Sequence, residues 1–430
     1  MAEPLRVALA GLGTVGGGVI RVLEANRALI ERRAGRGIEI VAVSARDRNK
    51  DRGVDLSGFQ WVDDMTTLGE IDGVDAVVEL IGGSDGPALA LARRTLAAGK
   101  AFITANKAMI AHHGLGLAEV ADAKDIPLKF EAAVAGGIPV IKGLREGAAA
   151  NEIQRVYGIL NGTCNYILTT MEKDGRDFAD VLGEAQALGY AESDPSFDID
   201  GVDAAHKLSI LASLSFGSAL DFDGVSATGI RHVIAADIAE AQALGFRVRL
   251  VGMADAGENG LFQRVHPCLV PVAHPLAHVS GSLNAVVAEG NFVGRLFFQG
   301  AGAGDGPTAS AVVADLIDVA RNEYGPAFAM PVGSLAHPAR ADAGERVGRS
   351  YLRLRVEDRT GVLAEIAAAM RDAGVSIESF IQRGASADGS ALIVLVTHVC
   401  PERCVTDVLA RLKGSDSLAG DPMLMHILDL

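Results

Sequence analysis

Short apolar runs alternate with helical patterns through the first third of the chain. Residues 5–10 are apolar but for one Arg; a glycine loop follows, then a helical pattern to about residue 32. Residues 38–44, 74–80, 101–104 and 128–132 read as further strands, with an Ala/Leu/Arg helix over 88–98. Strands alternating with helices predict βαβ units and a parallel sheet, so an α/β, doubly wound domain is expected over 1–135. The texture changes from about residue 136. Helical stretches at 178–188 and 202–214 mix with strand-like pieces at 247–253 and 260–267, which predicts an α+β domain over 136–332. A second glycine loop, 300–306, opens a helix over 308–324, and residues 305–330 are expected to pack back on the first domain. Residues 333–349 read as a linker. The last stretch, 350–430, runs strand 351–357, helix 361–373, strands 376–382 and 391–399, helix 402–413 and strand 423–428. That βαββαβ order is ferredoxin-like.

Composition narrows the partners. The 430 residues suggest two or three domains, and 39 Lys+Arg against 54 Asp+Glu leave a net charge of −15. Such acidity argues against nucleic acid and anionic membranes as partners. Hydrophobic residues at 49% and charged residues at 22% are ordinary globular values. The four cysteines do not space as a disulfide scaffold, and free thiols in a reducing compartment are expected. No apolar run approaches a membrane span, and the start reads as neither signal nor transit peptide, so a cytoplasmic protein is expected.

The first glycine loop carries the clearest chemistry. Gly11-Leu12-Gly13-Thr14-Val15-Gly16 fits G-x-G-x-x-G between a strand and a helix, the Rossmann context of a dinucleotide site. The helix start offers free N–H groups and a partial positive charge to a pyrophosphate. At the tip of the second strand stand Ser44 and Arg46, with Lys50 beyond. A cation there suits the 2′-phosphate of NADP, while Asp47 keeps NAD possible.

Two lysines and an acidic stretch follow. Lys107 lies just beyond the fourth strand, where open α/β sheets bind ligands; taken alone it reads better as a surface lysine. Between Glu192 and Asp203 five carboxylates fall within 12 residues with no base among them. Asp203 and Lys207 share a helix face four residues apart. Carboxylates with a lysine suit a substrate that carries both an ammonium and a carboxylate. His206 reads as packing or support rather than as a general base. Glu131, before the glycine turn at Gly136, could meet a hard cation together with backbone carbonyls, but a plain strand-to-helix turn is the better reading of the residues alone.

Together these residues resemble homoserine dehydrogenase in its long form with a C-terminal ACT domain. The likeness runs through the 11–16 loop, Thr104-Ala-Asn106-Lys107, residues 131–139, Asn161-Gly-Thr-Cys-Asn165-Tyr166, the run from Gly189 to Lys207, and 302–306. The resemblance implies NAD(P)H-dependent, reversible reduction of L-aspartate 4-semialdehyde to L-homoserine, on the route to threonine, methionine and isoleucine. It implies Lys207 as general acid/base and Lys107 beside nicotinamide and substrate. Glu192, Asp203 and Asp198 would hold the substrate's amino-acid end. Gly11, Leu12, Gly13, Thr14, Val15, Gly16, Arg46, Lys107, Gly189, Glu192 and Gly304 would meet the cofactor. Glu131 with the carbonyls of Val134, Gly136 and Ile138 would hold sodium. The chemistry agrees: hydride addition leaves negative charge on the aldehyde oxygen, which an ammonium stabilises and protonates.

Glu357-Asp358-Arg359-Thr360-Gly361-Val362-Leu363 is similar to the ACT signature, which implies an amino-acid effector, threonine by family expectation, near Asp358, Gly361, Val362 and Leu363. Ser376 stands where many ACT domains carry Asn, a longer hydrogen-bonding group. A homodimer or homotetramer is expected. Two other readings compete: a non-catalytic sensor of NAD(P) and an amino acid, and another Rossmann oxidoreductase with a different small substrate. Keeping Lys107, Lys207, Glu192 and Asp203 together argues against the sensor.

Overall fold

The computed structural model describes residues 2–384, 389–413 and 415–429. The first domain is a six-stranded sheet. Its order is Gln60–Trp61, Ile38–Ser44, Leu5–Ala10, Ala76–Glu79, Ala101–Thr104 and Leu128–Lys129, all parallel. This is the doubly wound order, with a switch point between the first strand and Ala76–Glu79. The first strand shows why both faces are covered. Leu5, Val7 and Leu9 point into one cluster, with Val19, Ile20, Val312 and Leu316. Ala8 and Ala10 point into another, with Leu91, Leu96, Phe102 and Ile110. Strand side chains alternate, so each face needs its own helical layer. The helix Asp305–Arg321, late in the chain, completes the first layer beside Thr14–Ala25.

Several elements differ from their expected form. The first helical pattern is broken at Asn26 into Thr14–Ala25 and Arg27–Ala34. The strand expected over 128–132 stops at Lys129, and Glu131–Ala133 turn as a 3-10 helix. Gln60–Trp61 is an edge strand too short to leave a period.

The second and third parts share one ten-stranded sheet. Ile153–Ile159, Phe246–Gly257, Gly260–Pro271, Leu283–Gly290 and Gly294–Ala301 supply antiparallel strands. The helix Val202–Phe216 is buried continuously from Asp203 to Leu214. The ferredoxin-like unit has the expected order, and its helices Val362–Asp372 and Glu402–Lys413 cover their own core of Leu352, Leu354, Ile366 and Leu395. Yet its last strand, Met423–Ile427, pairs in parallel with Gly260–Pro271. The opposite face, with Tyr351 and Met425, joins the main core. Buried Asp237 accepts hydrogen bonds from Tyr351 (3.0 Å) and Arg353 (2.7 Å), and Arg264 grips Glu402 at 2.6 and 3.1 Å. The C-terminal unit is therefore bound along its edge to the domain before it. No helix among the described residues is long and apolar enough to cross a membrane.

Candidate active site

The cofactor end is shaped by three glycines. Gly11 takes φ +100°, and a Cβ there would meet the Leu80 carbonyl at 2.8 Å. A Cβ on Gly16 would fall 2.1 Å from the Gly11 carbonyl, so strand and helix close only on glycine. Gly13 instead faces open space, with nothing within 4 Å. It caps Thr14–Ala25 without a side-chain hydrogen bond, so the first N–H groups stay available to an anion. Buried Glu79 orders the neighbouring strand ends. It accepts from Ile81 N (2.6 Å), Gly82 N (3.0 Å) and Thr104 Oγ1 (2.6 Å). Arg46 is exposed at the tip of the second strand. Arg52, which sequence reading passed over, donates to the carbonyls of Leu12 (3.1 Å), Lys50 (2.6 Å) and Asp47, tying the basic loop to the glycine loop.

The lysines come from two different helices. Asn106 caps the helix Lys107–Lys124, accepting from Met109 N at 3.1 Å, and so places Lys107 in its first turn. Lys207 comes from Val202–Phe216. They meet on one carboxylate: Lys107 Nζ lies 3.1 Å from Asp203 Oδ1, and Lys207 Nζ donates to Asp203 Oδ2 at 2.8 Å. Lys207 also donates to the Leu160 carbonyl at 2.8 Å. An ammonium has three donors, so one remains for the cavity that Lys207 lines. Burial alone raises the Asp203 carboxyl, but Lys207, Lys107 and the hydrogen bonds from Lys207 and Asn161 outweigh it and hold the group well below the usual carboxylate range. Asn161 Nδ2 bridges Asp203 and Asp198, 2.8 Å from each. Burial, then Asp203, raises the Asp198 carboxyl.

This cluster forms one wall of a cavity of about 600 Å³. Val15, Gly136, Gly189 and Gly304 also line it, so the glycine loop and the lysines open on the same space. Such a space can seat a nicotinamide beside a small amphoteric substrate, with two ammoniums at the reacting oxygen. Glu192 is not brought in; it is exposed outside the lining, its carbonyl held by Gln186 at 3.0 Å. His206 is buried with its Nε2 3.1 Å from His112 Nε2. Burial, with His112 and Lys107 nearby, holds it down to about 4.

Glu131 is buried, accepting from Ile141 N (3.1 Å) and Lys142 N (2.8 Å). Burial and then Asp315 push its carboxyl up to about 7. Around it Lys142 contacts Asp318, Lys129 lies 3.4 Å from Asp318, and Asp315 accepts the Glu131 N–H at 2.9 Å. In the C-terminal unit Gly361 caps its helix at φ +96°, Val362 is buried, and Asp358 and Leu363 are exposed.

Sequence reading assigned no role to Asn161, Glu79, Arg52 or the Leu160 carbonyl. Only Asn161 left a local signal, an Asn ahead of a helix start; it accepts from Cys164 N at 2.8 Å. Glu79 and Arg52 bind close neighbours but each also reaches one group far off in the chain, Thr104 and the Leu12 carbonyl, and the Leu160 carbonyl meets Lys207 from another element.

A fold that opens a dinucleotide loop and two ammoniums onto one cavity is that of a nicotinamide-dependent oxidoreductase. Comparison with known proteins narrows this class. Residues 11–131 match the homoserine dehydrogenase NAD-binding domain, 139–317 the homoserine dehydrogenase domain and 350–414 the ACT domain. A homoserine dehydrogenase of Pseudomonas aeruginosa is 44% identical over 434 residues, covering 99% of each chain. The crystal structure of a homoserine dehydrogenase from Thiobacillus denitrificans superposes with a TM-score of 0.94 at 42% identity, covering 100% of this chain and 99% of that one. A hyperthermophilic archaeal homoserine dehydrogenase in complex with NADPH gives 0.65 at 26% identity, over 76% of this chain and 99% of that one. The chain belongs to the homoserine dehydrogenase family, as an NAD(P)-dependent enzyme with a C-terminal ACT domain.

Proposed function

We propose that this enzyme reduces L-aspartate 4-semialdehyde reversibly to L-homoserine, with NADP(H) preferred over NAD(H), in threonine, methionine and isoleucine biosynthesis. The observation that carries the residue roles is Asp203 held between Lys107 and Lys207 on the cavity wall. When bound, the nicotinamide supplies the hydride. Lys207 Nζ gives its proton to the oxygen that gains charge, and takes it back in the reverse direction. Lys107 stabilises the same charge from the glycine-loop side. Asp203 and Asp198, tied together by Asn161, form an acidic wall for the substrate's α-ammonium, and Asp203 also fixes both lysines. Glu192 lies on the exposed rim and is assigned to the same amino-acid end and to the cofactor. Leu12, Thr14, Val15, Gly189 and Gly304 meet the cofactor. Arg46, with Arg48 and Lys50 beside it, supports a 2′-phosphate.

Sodium is assigned to Glu131 and the carbonyls of Val134, Gly136 and Ile138. Two features support the fit. The Val134 and Gly136 carbonyls accept no hydrogen bond among the described residues. The carboxyl of Glu131, raised by burial beside Asp315, is one that a cation would favour in its charged form. Threonine is assigned to the turn at Asp358, Gly361, Val362 and Leu363, a homodimer or homotetramer to the assembly, and the cytoplasm to its place of work; the four free thiols support the last.

One assay tests these readings together. NADPH absorbance is followed with aspartate semialdehyde, NADH is then substituted, and threonine is added last. Oxidation is expected, faster with NADPH and slowed by threonine. No oxidation overturns the reaction, equal efficiency with NADH the cofactor preference, and indifference to threonine only the regulation.

A further inference from the structure

Phe197 stands in the acidic stretch immediately before Asp198, on the short helix Ser196–Ile199. Its ring is left 44% exposed beside Asp198 and Lys107, which both line the cavity. The ring face is occupied: Lys107 Nζ lies 5.6 Å from the ring centroid. An ammonium within about 6 Å of a ring face is attracted by the ring's quadrupole. The ring itself is backed by a stack. Phe197 lies over His206 with centroids 5.6 Å apart and planes at 29°, and His206 lies on Phe222 at 4.4 Å and 6°. His112 closes the pile edge-on, 5.1 Å from His206 and 4.7 Å from Phe222. Held down to about 4, His206 is neutral near pH 7 and adds no positive charge behind the ammonium.

We propose that Phe197 is a positioning residue: its ring face, backed by His206 and Phe222, holds the Lys107 ammonium against Asp203 and toward the cavity. The assignment rests on the proposed role of Lys107. A lysine side chain has many rotamers, and one ion contact among the described residues, 3.1 Å from Asp203, leaves its stem free to swing. The ring supplies a second, non-competing hold that consumes none of the three N–H donors. It also explains why an apolar residue sits among five carboxylates.

The test is a double-mutant cycle in steady-state kinetics with aspartate semialdehyde and NADPH. Phe197→Leu, which keeps bulk but removes the ring face, is expected to lower kcat about two- to fivefold, with both KM values changed less. Phe197→Tyr keeps the face and is expected to recover turnover. In a Lys107→Ala background Phe197→Leu is expected to cost nothing further. An equal loss in both backgrounds overturns the proposal, since the ring would then act independently of Lys107; so does an unchanged kcat in Phe197→Leu. If Lys107→Ala itself turns over normally, the role assigned to Lys107 has failed, and the cycle separates that result from a failure of Phe197.

Discussion

Lys107, Lys207, Asp203 and Asp198 form one partly buried cluster of ammoniums and carboxylates; Lys129, Lys142, Asp315, Asp318 and Glu131 form another. The residue types are nearly the same, and the environments differ in two ways. The first cluster faces a cavity. The second is enclosed between Leu128–Lys129, Val140–Lys142 and Asp305–Arg321, and joins the nucleotide-binding sheet to the domain after it. In the first, one carboxylate lies between two ammoniums and is held well below its usual range. In the second, two carboxyls crowd each other, and burial raises both Glu131 and Asp315. Composition alone does not separate a reactive site from a brace. Access and charge balance do.

The largest effect expected to sharpen this contrast is on chemistry alone. Lys207→Ala should lower turnover on the order of a thousandfold while NADPH binding, followed by fluorescence titration, stays intact. Turnover within tenfold of the parent would take Lys207 out of the proton transfer. In the enclosed cluster the loss should fall on stability instead. Asp315→Ala takes one of its two carboxylates from Lys142 and the acceptor from the buried Glu131 N–H, and should lower the unfolding free energy by about 3 kcal/mol in denaturant. A loss below about 1 kcal/mol would show that the cluster does not brace the domains.

A smaller effect should follow pH. His206, at the back of the first cluster, is held down to about 4, whereas the unfolded chain takes up the proton near 6.5. Between those values the unfolded state binds more protons, so stability is full above about pH 6.5 and is lost as pH falls toward 4. His274 is held down to about 4 for the same main reason, burial, and adds to the slope. Glu131, pushed up from about 4.5 to about 7, contributes the opposite slope, so the effect of His206 is read as a difference: as pH falls from 6.5 toward 4, His206→Phe, which keeps the stack, should lose less of its melting midpoint than the parent. An unaltered slope in that variant would mean that His206 does not titrate as argued. The smallest effect belongs to the proposed cation. Replacing sodium by choline at constant ionic strength should lower the melting midpoint by about 2–4 °C, equivalent to about 1 kcal/mol. Glu131→Ala should show no such difference; a sodium effect that survives in it would place the ion elsewhere.

Much of the architecture was readable because its signals are local. The glycine loop, the alternating strands and the βαββαβ order each lie within one short window of chain. So does the Asp203–Lys207 pair, four residues apart on one helix. The rest depends on partners far apart in sequence. Nothing near Lys107 announces that its ammonium will reach Asp203. Nothing near Glu79 or Arg52 announces that they will also reach Thr104 and the Leu12 carbonyl, because those two partners come from other segments. The short edge strand Gln60–Trp61 escaped because two residues carry no period. The C-terminal unit read as separate, yet its last strand extends the neighbouring sheet, since strand pairing satisfies backbone groups whatever the side chains are.

By itself the sequence determined which backbone could bend at Gly11, which helix start would be left open to a phosphate, and which helix would carry a carboxylate and a lysine on one face. These are matters of local sterics and periodicity. Only the tertiary structure decided that Lys107 and Lys207 would share Asp203, that Asn161 would tie Asp203 to Asp198, and that one lysine–carboxylate cluster would open to a cavity while its near twin was enclosed. Those outcomes depend on burial and on charges brought together from distant segments, which the order of residues along the chain does not display.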